Sequence, residues 1–324
     1  NYTEFNVLSN IDYKIANWLT VSLNTGYTSY SEDFKRQLSA FTYAFQLDNP
    51  YGAISPYGAS TASRISNGQR FNSDLLFKFN KDINKDFNTK LTLGTNTRLT
   101  TLNEVQVNGS NLIIPDFYNV STRTGELGGS EASIAYRRQA VYGDFTLGFK
   151  DYLFLNITAR NDWSSSLPIN NNSFFYPGAG LSFVVSDAFP KITSQNGISL
   201  LKATVNVTKT GNDPVAYATQ GIFQAPAGFP YGSTTGLSQG ARDPDKQLNP
   251  EFTLSKEVGI ELGLFDNRLT FNSTVYKTNS TDQIVPINVS TTSGATSILT
   301  NIGEIENKGI ELDLKSTILK SENF

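Results

Sequence analysis

The strongest constraint on this chain is a two-residue hydrophobic period that persists along most of its length. In GLFDNRLTFNSTVYKTNSTDQIV (263 to 285), Leu269, Phe271 and Val275 fall on one side and Thr270, Asn272, Thr274 and Tyr276 on the other. An extended strand sends successive side chains to opposite faces, so the segment reads as a strand with one apolar and one wet face. The pattern recurs. Leu19, Val21 and Leu23 oppose Thr20, Ser22, Asn24 and Gly26, and Leu91 and Leu93 oppose Thr92, Gly94, Asn96 and Arg98. Phe145, Leu147 and Phe149 lead through a turn at Lys150-Asp151 to Leu153, Leu155 and Ile157. Leu201, Ala203, Val205 and Val207 alternate with Lys202, Thr204, Asn206 and Thr208, and Val258, Ile260, Leu262 and Leu264 with Glu257, Glu261 and Gly263. The chain is expected to be all-β, with about eleven strands.

Alternation alone fits a soluble sandwich as well as a transmembrane antiparallel β-barrel, so the connections have to discriminate. Short joints are expected near Ala16-Asn17, 81 to 86, Lys150-Asp151, 187 to 197 and Asp266-Asn267. Long ones are expected near 31 to 68, 106 to 131, 162 to 173, 211 to 251 and 279 to 301. Short and long alternate, which collects the short turns at one end of the sheet and the long loops at the other. That sidedness belongs to outer-membrane barrels, whereas Greek-key sandwiches mix both kinds at both ends. Segments such as 133 to 149 exceed the roughly 9 to 11 residues that cross a bilayer at a tilt, so they project beyond it.

Composition narrows function by subtraction. With no His and no Cys, Ser-His and Cys-His nucleophile pairs, disulfides and the commonest transition-metal ligand are missing. Hydrolase chemistry is therefore not expected, and neither is a cofactor. The net charge of -3 is spread without a basic cluster, so nucleic acid is not an expected partner. No window approaches the roughly 20 apolar residues of a spanning helix. The mean hydropathy of -0.28 still suits a barrel wall, because every second residue faces a polar lumen. The chain starts at Asn1, contains no Met and ends in KSENF directly after an apparent strand. Both ends are expected to be cut from a longer sequence.

Five segments carry more than a pattern. LNPEFTLSKEVGIELGLFDNRLTFNSTVYKTNSTDQIV (248 to 285) is followed by NIGEIENKGIELDL (301 to 314). Upstream lie YGDFTLGFKDYLFLNITARNDWSSSLP and then, in order, YPGAGLSFVVSDAF and LLKATVNVTKTGND. These segments resemble the SusC/RagA-like TonB-dependent outer-membrane transporters known from Bacteroidetes. The family's N-G-x-I-x-N-K-G-I-E segment is similar to Asn301, Gly303, Ile305, Asn307, Lys308, Gly309, Ile310 and Glu311. The upstream hairpin resembles the one that leads into a family loop usually reading R-x-D-x-S-S. Where the family usually carries Arg-x-Ser-x-Gly, this chain has Ala203 to Thr208 instead. Residues 1 to 130 fit the barrel pattern with weaker signatures.

The resemblance implies a barrel of about 22 strands around a plug, of which this chain supplies roughly half. Residues 1–324 are then part of the barrel domain, with the plug, signal peptide, TonB-contacting segment and closing C-terminal strands lying outside it. It further implies the outer membrane of a Gram-negative bacterium, uptake of large nutrients such as oligosaccharides or peptides, and TonB and a SusD-like surface lipoprotein as partners beside outer-membrane lipid. The alternative is a passive porin, or the barrel component of a larger surface assembly.

Candidate substrate contacts are the loop aromatics Tyr51, Tyr57, Phe223, Phe229 and Tyr231, which read equally as ordinary loop tips. Gly303 and Gly309 read as structural, letting the backbone bend or bulge where a strand enters the wall before Ile310, Leu312 and Leu314 resume its apolar face. DPDKQLNPE places Asp243, Asp245, Gln247, Asn249 and Glu251 at alternate positions. Leu248 stands where an EF-hand requires Gly, so a solvated loop is expected there and not a calcium site. Trp18 and Trp163 fit interfacial belts at opposite membrane edges.

Overall fold

The computed structural model describes the whole chain except residues 45–53, 115, 192–196, 225–233 and 319–324. The first long strands are β1 (Tyr2–Ala16) and β2 (Leu19–Leu38), followed by a short ribbon of β3 (Phe41–Ala44) and β4 (Ile54–Tyr57). Next come β5 (Ser60–Asp82), β6 (Phe87–Ser110), β7 (Gly128–Phe149), β8 (Leu153–Ser164) and β9 (Ser173–Val184), with a one-turn helix α1 (Val185–Ala188) before β10 (Ile198–Asn212). The stretch after β10 contains β11 (Phe223–Gln224), β12 (Ser238–Gln239) and β13 (Arg242–Pro244). The chain then returns through β14 (Glu251–Leu264), β15 (Leu269–Asn288) and β16 (Ser297–Ser316). Among the described residues twelve strands form one sheet, in the order β1-β2-β5-β6-β7-β8-β9-β10-β14-β15-β16-β13.

Eleven of these are the long strands, each beside its predecessor in the chain. From β7 to β16 every consecutive pair of long strands is antiparallel. The twelfth, β13, was not foreseen. It lies parallel to β16, with Arg242 opposite Ser297 and Pro244 opposite Leu299, because a loop strand folds back along the entry of a wall strand. The short turns fall where the alternation placed them. At Lys150-Asp151 both central residues have positive φ (49° and 58°), and Tyr152 N donates to Phe149 O at 3.3 Å. That conformation matches the twist of the flanking strands. The joint after β9 also holds α1, which the alternation does not reveal.

The long connections are shorter than expected, since the strands run on into them. β2, β15 and β16 have 20 residues each, β5 has 23 and β6 has 24. At about 3.3 Å per residue they are far longer than a bilayer crossing requires. Past Leu23, the residues of β2 that continue its apolar side are Thr25, Tyr27, Ser29, Ser31 and Asp33. Both sides are then polar, and the period that betrays a strand disappears.

The chain divides into two compact units, 1–9 with 25–73 and 98–136, and 10–24 with 74–97 and 137–324. In the first, Arg64 Nη2 meets Glu32 Oε2 at 3.2 Å and Ser66 Oγ donates to Glu104 Oε2 at 2.9 Å. Glu4 accepts from the Tyr2 hydroxyl and from Asn6 Nδ2 at 2.6 Å.

The second unit shows what the apolar side faces. Across β10, β14, β15 and β16, Val205, Val258, Val275 and Ile310 are register partners, as are Leu201, Leu262, Phe271 and Leu314. The first set is 47 %, 51 %, 51 % and 68 % exposed, and among the described residues no element covers them. Water-soluble monomers rarely display an apolar patch of such extent. The other face carries Lys202 opposite Glu261 (2.8 Å between Nζ and Oε1), Thr204 opposite Gly259, and Asn206 opposite Gly180.

Candidate functional site

Alternation sends Arg138 and Tyr142 of β7, Arg160, Asp162 and Ser164 of β8, and Phe174 and Tyr176 of β9 to the polar face. Asp162 is fully buried. It accepts from Arg160 Nε at 3.0 Å and Nη2 at 2.9 Å, from Arg138 Nη2 at 3.1 Å, and from the Tyr176 hydroxyl. Arg138 reaches on through Nη1 to Asp213 Oδ1 at 3.1 Å. Asp213 follows the end of β10, and it also accepts from the hydroxyls of Ser164 and Ser166. Each guanidinium lies over a ring, Arg138 at 5.4 Å from the Phe174 centroid and Arg160 at 5.1 Å from that of Tyr142. The Tyr142 hydroxyl donates to Asp74 at 3.0 Å, as does Asn96 Nδ2.

Two arginines and two aspartates neutralise one another here, each carboxylate held by several donors. Charges removed from water need that degree of pairing, and losing one partner leaves another buried and uncompensated. Both carboxylates of the network are taken up by its own donors. The network locks a polar wall in place. Below it opens a cleft of about 300 Å³ whose side chains include Tyr142, Asp144, Thr158, Arg160, Tyr176 and Thr208. Gly178 lies between Thr158 and Thr208. A Cβ there would stand 2.6 Å from Thr158 Oγ1 and 3.3 Å from the Thr208 methyl, so a larger residue would displace the Thr158 side chain. The lining is largely apolar surface, because the Tyr142 and Tyr176 hydroxyls turn to Asp74 and Asp162 and the Arg160 donors to Asp162, so the cleft suits a ligand that offers apolar surface with a few hydrogen-bonding groups.

A second structure holds the root of the loop between β10 and β14. Leu248 is fully buried and clusters with Ala218, Leu299 and Ile284. Beside it, Asn301 accepts from Asn249 N at 2.7 Å and donates through Nδ2 to Asn249 O at 2.9 Å and Asp282 O at 2.6 Å. Asp245 accepts from Thr300 Oγ1 and Gln247 N, both at 2.8 Å, and Glu251 accepts from Ile284 N at 2.7 Å. Asp245 and Glu251 of DPDKQLNPE thus act as acceptors that pin a loop to the wall. LNPE and the segment beginning at Asn301 touch, although some fifty residues separate them.

The remaining positions singled out in the sequence distribute along β16 and the loops. Gly303 faces Gln283 where the register slips by one residue on β15 and is restored by one on β16. Asn307 pairs with Thr278, Lys308 with Lys277 and Glu311 with Thr274. Gly309 lies beneath Tyr276, where a Cβ would come within 2.7 Å of the hydroxyl and 2.8 Å of the ring. Tyr57 is on β4, its backbone paired with Phe41, and Phe223 is 71 % exposed on β11. Tyr51, Phe229 and Tyr231 lie outside the described residues. Trp18 and Trp163 sit at opposite ends of the strands, Trp18 in the β1–β2 turn and Trp163 near the end of β8. Arg138 lies outside every family-like run that the sequence singled out. Tyr142, Arg160, Asp162, Tyr176 and Asp213 each stood in a recognised run, but spread over different strands and a loop, and no local signal links them.

A family model described as "TonB dependent receptor-like, beta-barrel" matches residues 2–321. The TonB-dependent receptor P26 of Formosa agariphila is 28 % identical over 185 residues, covering 56 % of this chain and 18 % of that protein. The chain therefore spans less than a fifth of the length of that curated relative. A structure of the RagAB peptide transporter superposes with a TM-score of 0.83 at 19 % identity, over 99 % of this chain and 34 % of the other. The outer membrane transporter YddB from Escherichia coli aligns at 0.62 and 10 % identity, over 97 % and 39 %.

Proposed function

Since this chain belongs to the TonB-dependent receptor-like β-barrel family, we propose that it forms one side of the wall of an outer-membrane importer that takes up large polar nutrients, oligosaccharides or peptides, on energy relayed by TonB. A surface lipoprotein of the SusD-like kind covers the long loops in this reading. The observation that carries it is the division of the sheet into an exposed apolar face and a face bearing a preorganised polar network beside an open cleft. A bare porin lumen has no need of a sealed, charge-neutral scaffold, whereas a wall that must hold its shape while a plug moves beside it does. The RagAB complex, whose structure this chain's fold resembles, is a peptide importer, which makes peptides the first class to test.

The experiment is uptake of labelled oligosaccharides and peptides by cells carrying or lacking the full-length gene, with and without a functional TonB system. Active import predicts accumulation that disappears on loss of either. Uptake that persists without TonB identifies a passive pore and overturns the reading. Pull-down of the folded protein from detergent-solubilised membranes tests the lipoprotein, which should co-purify in near-stoichiometric amount.

A further inference from the structure

Lys256, Lys277 and Lys308 are register partners on three consecutive strands, β14, β15 and β16. Each stands two residues beyond Val258, Val275 and Ile310 respectively, so the three ammonium groups share the apolar face and form a row along its edge. Neighbouring strands lie about 4.8 Å apart, and like charges directly opposite one another across strands destabilise a sheet. One carboxylate serves the row: Glu306 Oε2 lies 2.9 Å from Lys277 Nζ, and its Oε1 lies 3.8 Å from Lys308 Nζ. Among the described residues Lys256 has no ion pair. Glu304 lies two residues farther along the face. A fourth cation, Lys209 of β10, sits one register row on, its Nζ 3.6 Å from the Phe252 ring centroid. Four cations against so few acids leave a local positive surplus that the fold itself does not offset.

We propose that this row binds the phosphate groups of membrane lipid in the outer leaflet. The inference rests on the apolar face being the lipid face. From Leu264, beside the short turn, to Lys256 the strand rises eight residues, about 26 Å along its axis and roughly 20 Å along the membrane normal at a tilt near 40°. The outward apolar band of such barrels is about 25 Å tall, and a lysine stem spans the remaining few ångströms by lying along apolar surface with its ammonium in the headgroup layer. The row thus stands at the height of the headgroups on the long-loop side. Phosphate is the anion there, and three parallel ammonium donors on a rigid sheet match phosphates spread over neighbouring lipids.

The test uses the full-length folded protein in nanodiscs, with bis-phosphorylated lipid A, its dephosphorylated form and inorganic phosphate as probes. Retained lipid is measured by native mass spectrometry. Wild type should retain the phosphorylated lipid preferentially, and K256Q/K277Q/K308Q should lose that preference, at roughly fivefold per lysine. K85Q, in the β5–β6 turn, should leave it unchanged. Equal retention of both lipids by wild type, or unchanged retention by the triple variant, overturns the proposal. So does displacement by low-millimolar inorganic phosphate, which would mark a free-anion site. Failure of every variant to enter nanodiscs as a heat-modifiable folded species would sink the lipid-face reading beneath it, a result distinct from the others.

Discussion

The β7–β9 and β14–β16 regions of the wall handle charge in opposite ways. In the first, Arg138, Arg160, Asp162 and Asp213 face the polar side, balance one another and exclude water from Asp162. In the second, Lys256, Lys277 and Lys308 face the apolar side, exposed, with Glu306 between two of them. A closed set of charges needs nothing further and serves as a brace. An open, unbalanced one is a surface awaiting a counter-charge. The contrast assigns different work to the two sides of one sheet, and substitutions should separate them.

The largest effect should come from Asp162→Ala, which leaves two arginines facing each other over buried space. A loss of about 3 to 5 kcal/mol should appear as a lower urea midpoint for the heat-modifiable folded band of the full-length protein. Asp162→Asn, which keeps the shape and some hydrogen bonds, should lose less. Leu248→Ala comes next. It empties a fully buried site at the loop root and should cost about 2 to 4 kcal/mol. Its signature is faster proteolysis within 213–250, with the strands still protected. If the strands melt together with the loop, the root is not a separate element.

Gly309→Ala should cost about 1 to 3 kcal/mol, because the new methyl meets the Tyr276 ring. Tyr276→Ala in the same chain should recover much of it, and a double-mutant cycle without coupling would show that the ring does not rest on the glycine. The smallest effect is expected from Lys256→Gln, within about 0.5 kcal/mol of wild type and on the stabilising side in neutral detergent, where repulsion across the row is relieved. A marked destabilisation there would erase the contrast between the two regions.

Much of the wall was legible because a strand bounded by lipid and a polar lumen must alternate at every step. Leu269, Phe271 and Val275 against Thr270, Asn272 and Thr274 declare both faces and the strand. The signal fades where the apolar demand ends, which is why β2 and β5 outran their expected limits and β13 went unseen. The site was far less legible. Arg160 and Asp162 are two residues apart and stand out together, but Arg138 and Asp213 join them only across strand pairing and a loop. LNPE and the run from Asn301 were each conspicuous, and only the fold shows that they are one device.

The sequence by itself determined the all-β class, the two faces of each strand, and the alternation of short and long connections, because all three follow from the local two-residue period and from turn chemistry. Only the tertiary structure decided which charges meet. Register is a property of strand pairs, and a slip of one residue would carry Lys277 to the other face and leave Lys256 and Lys308 without their shared row.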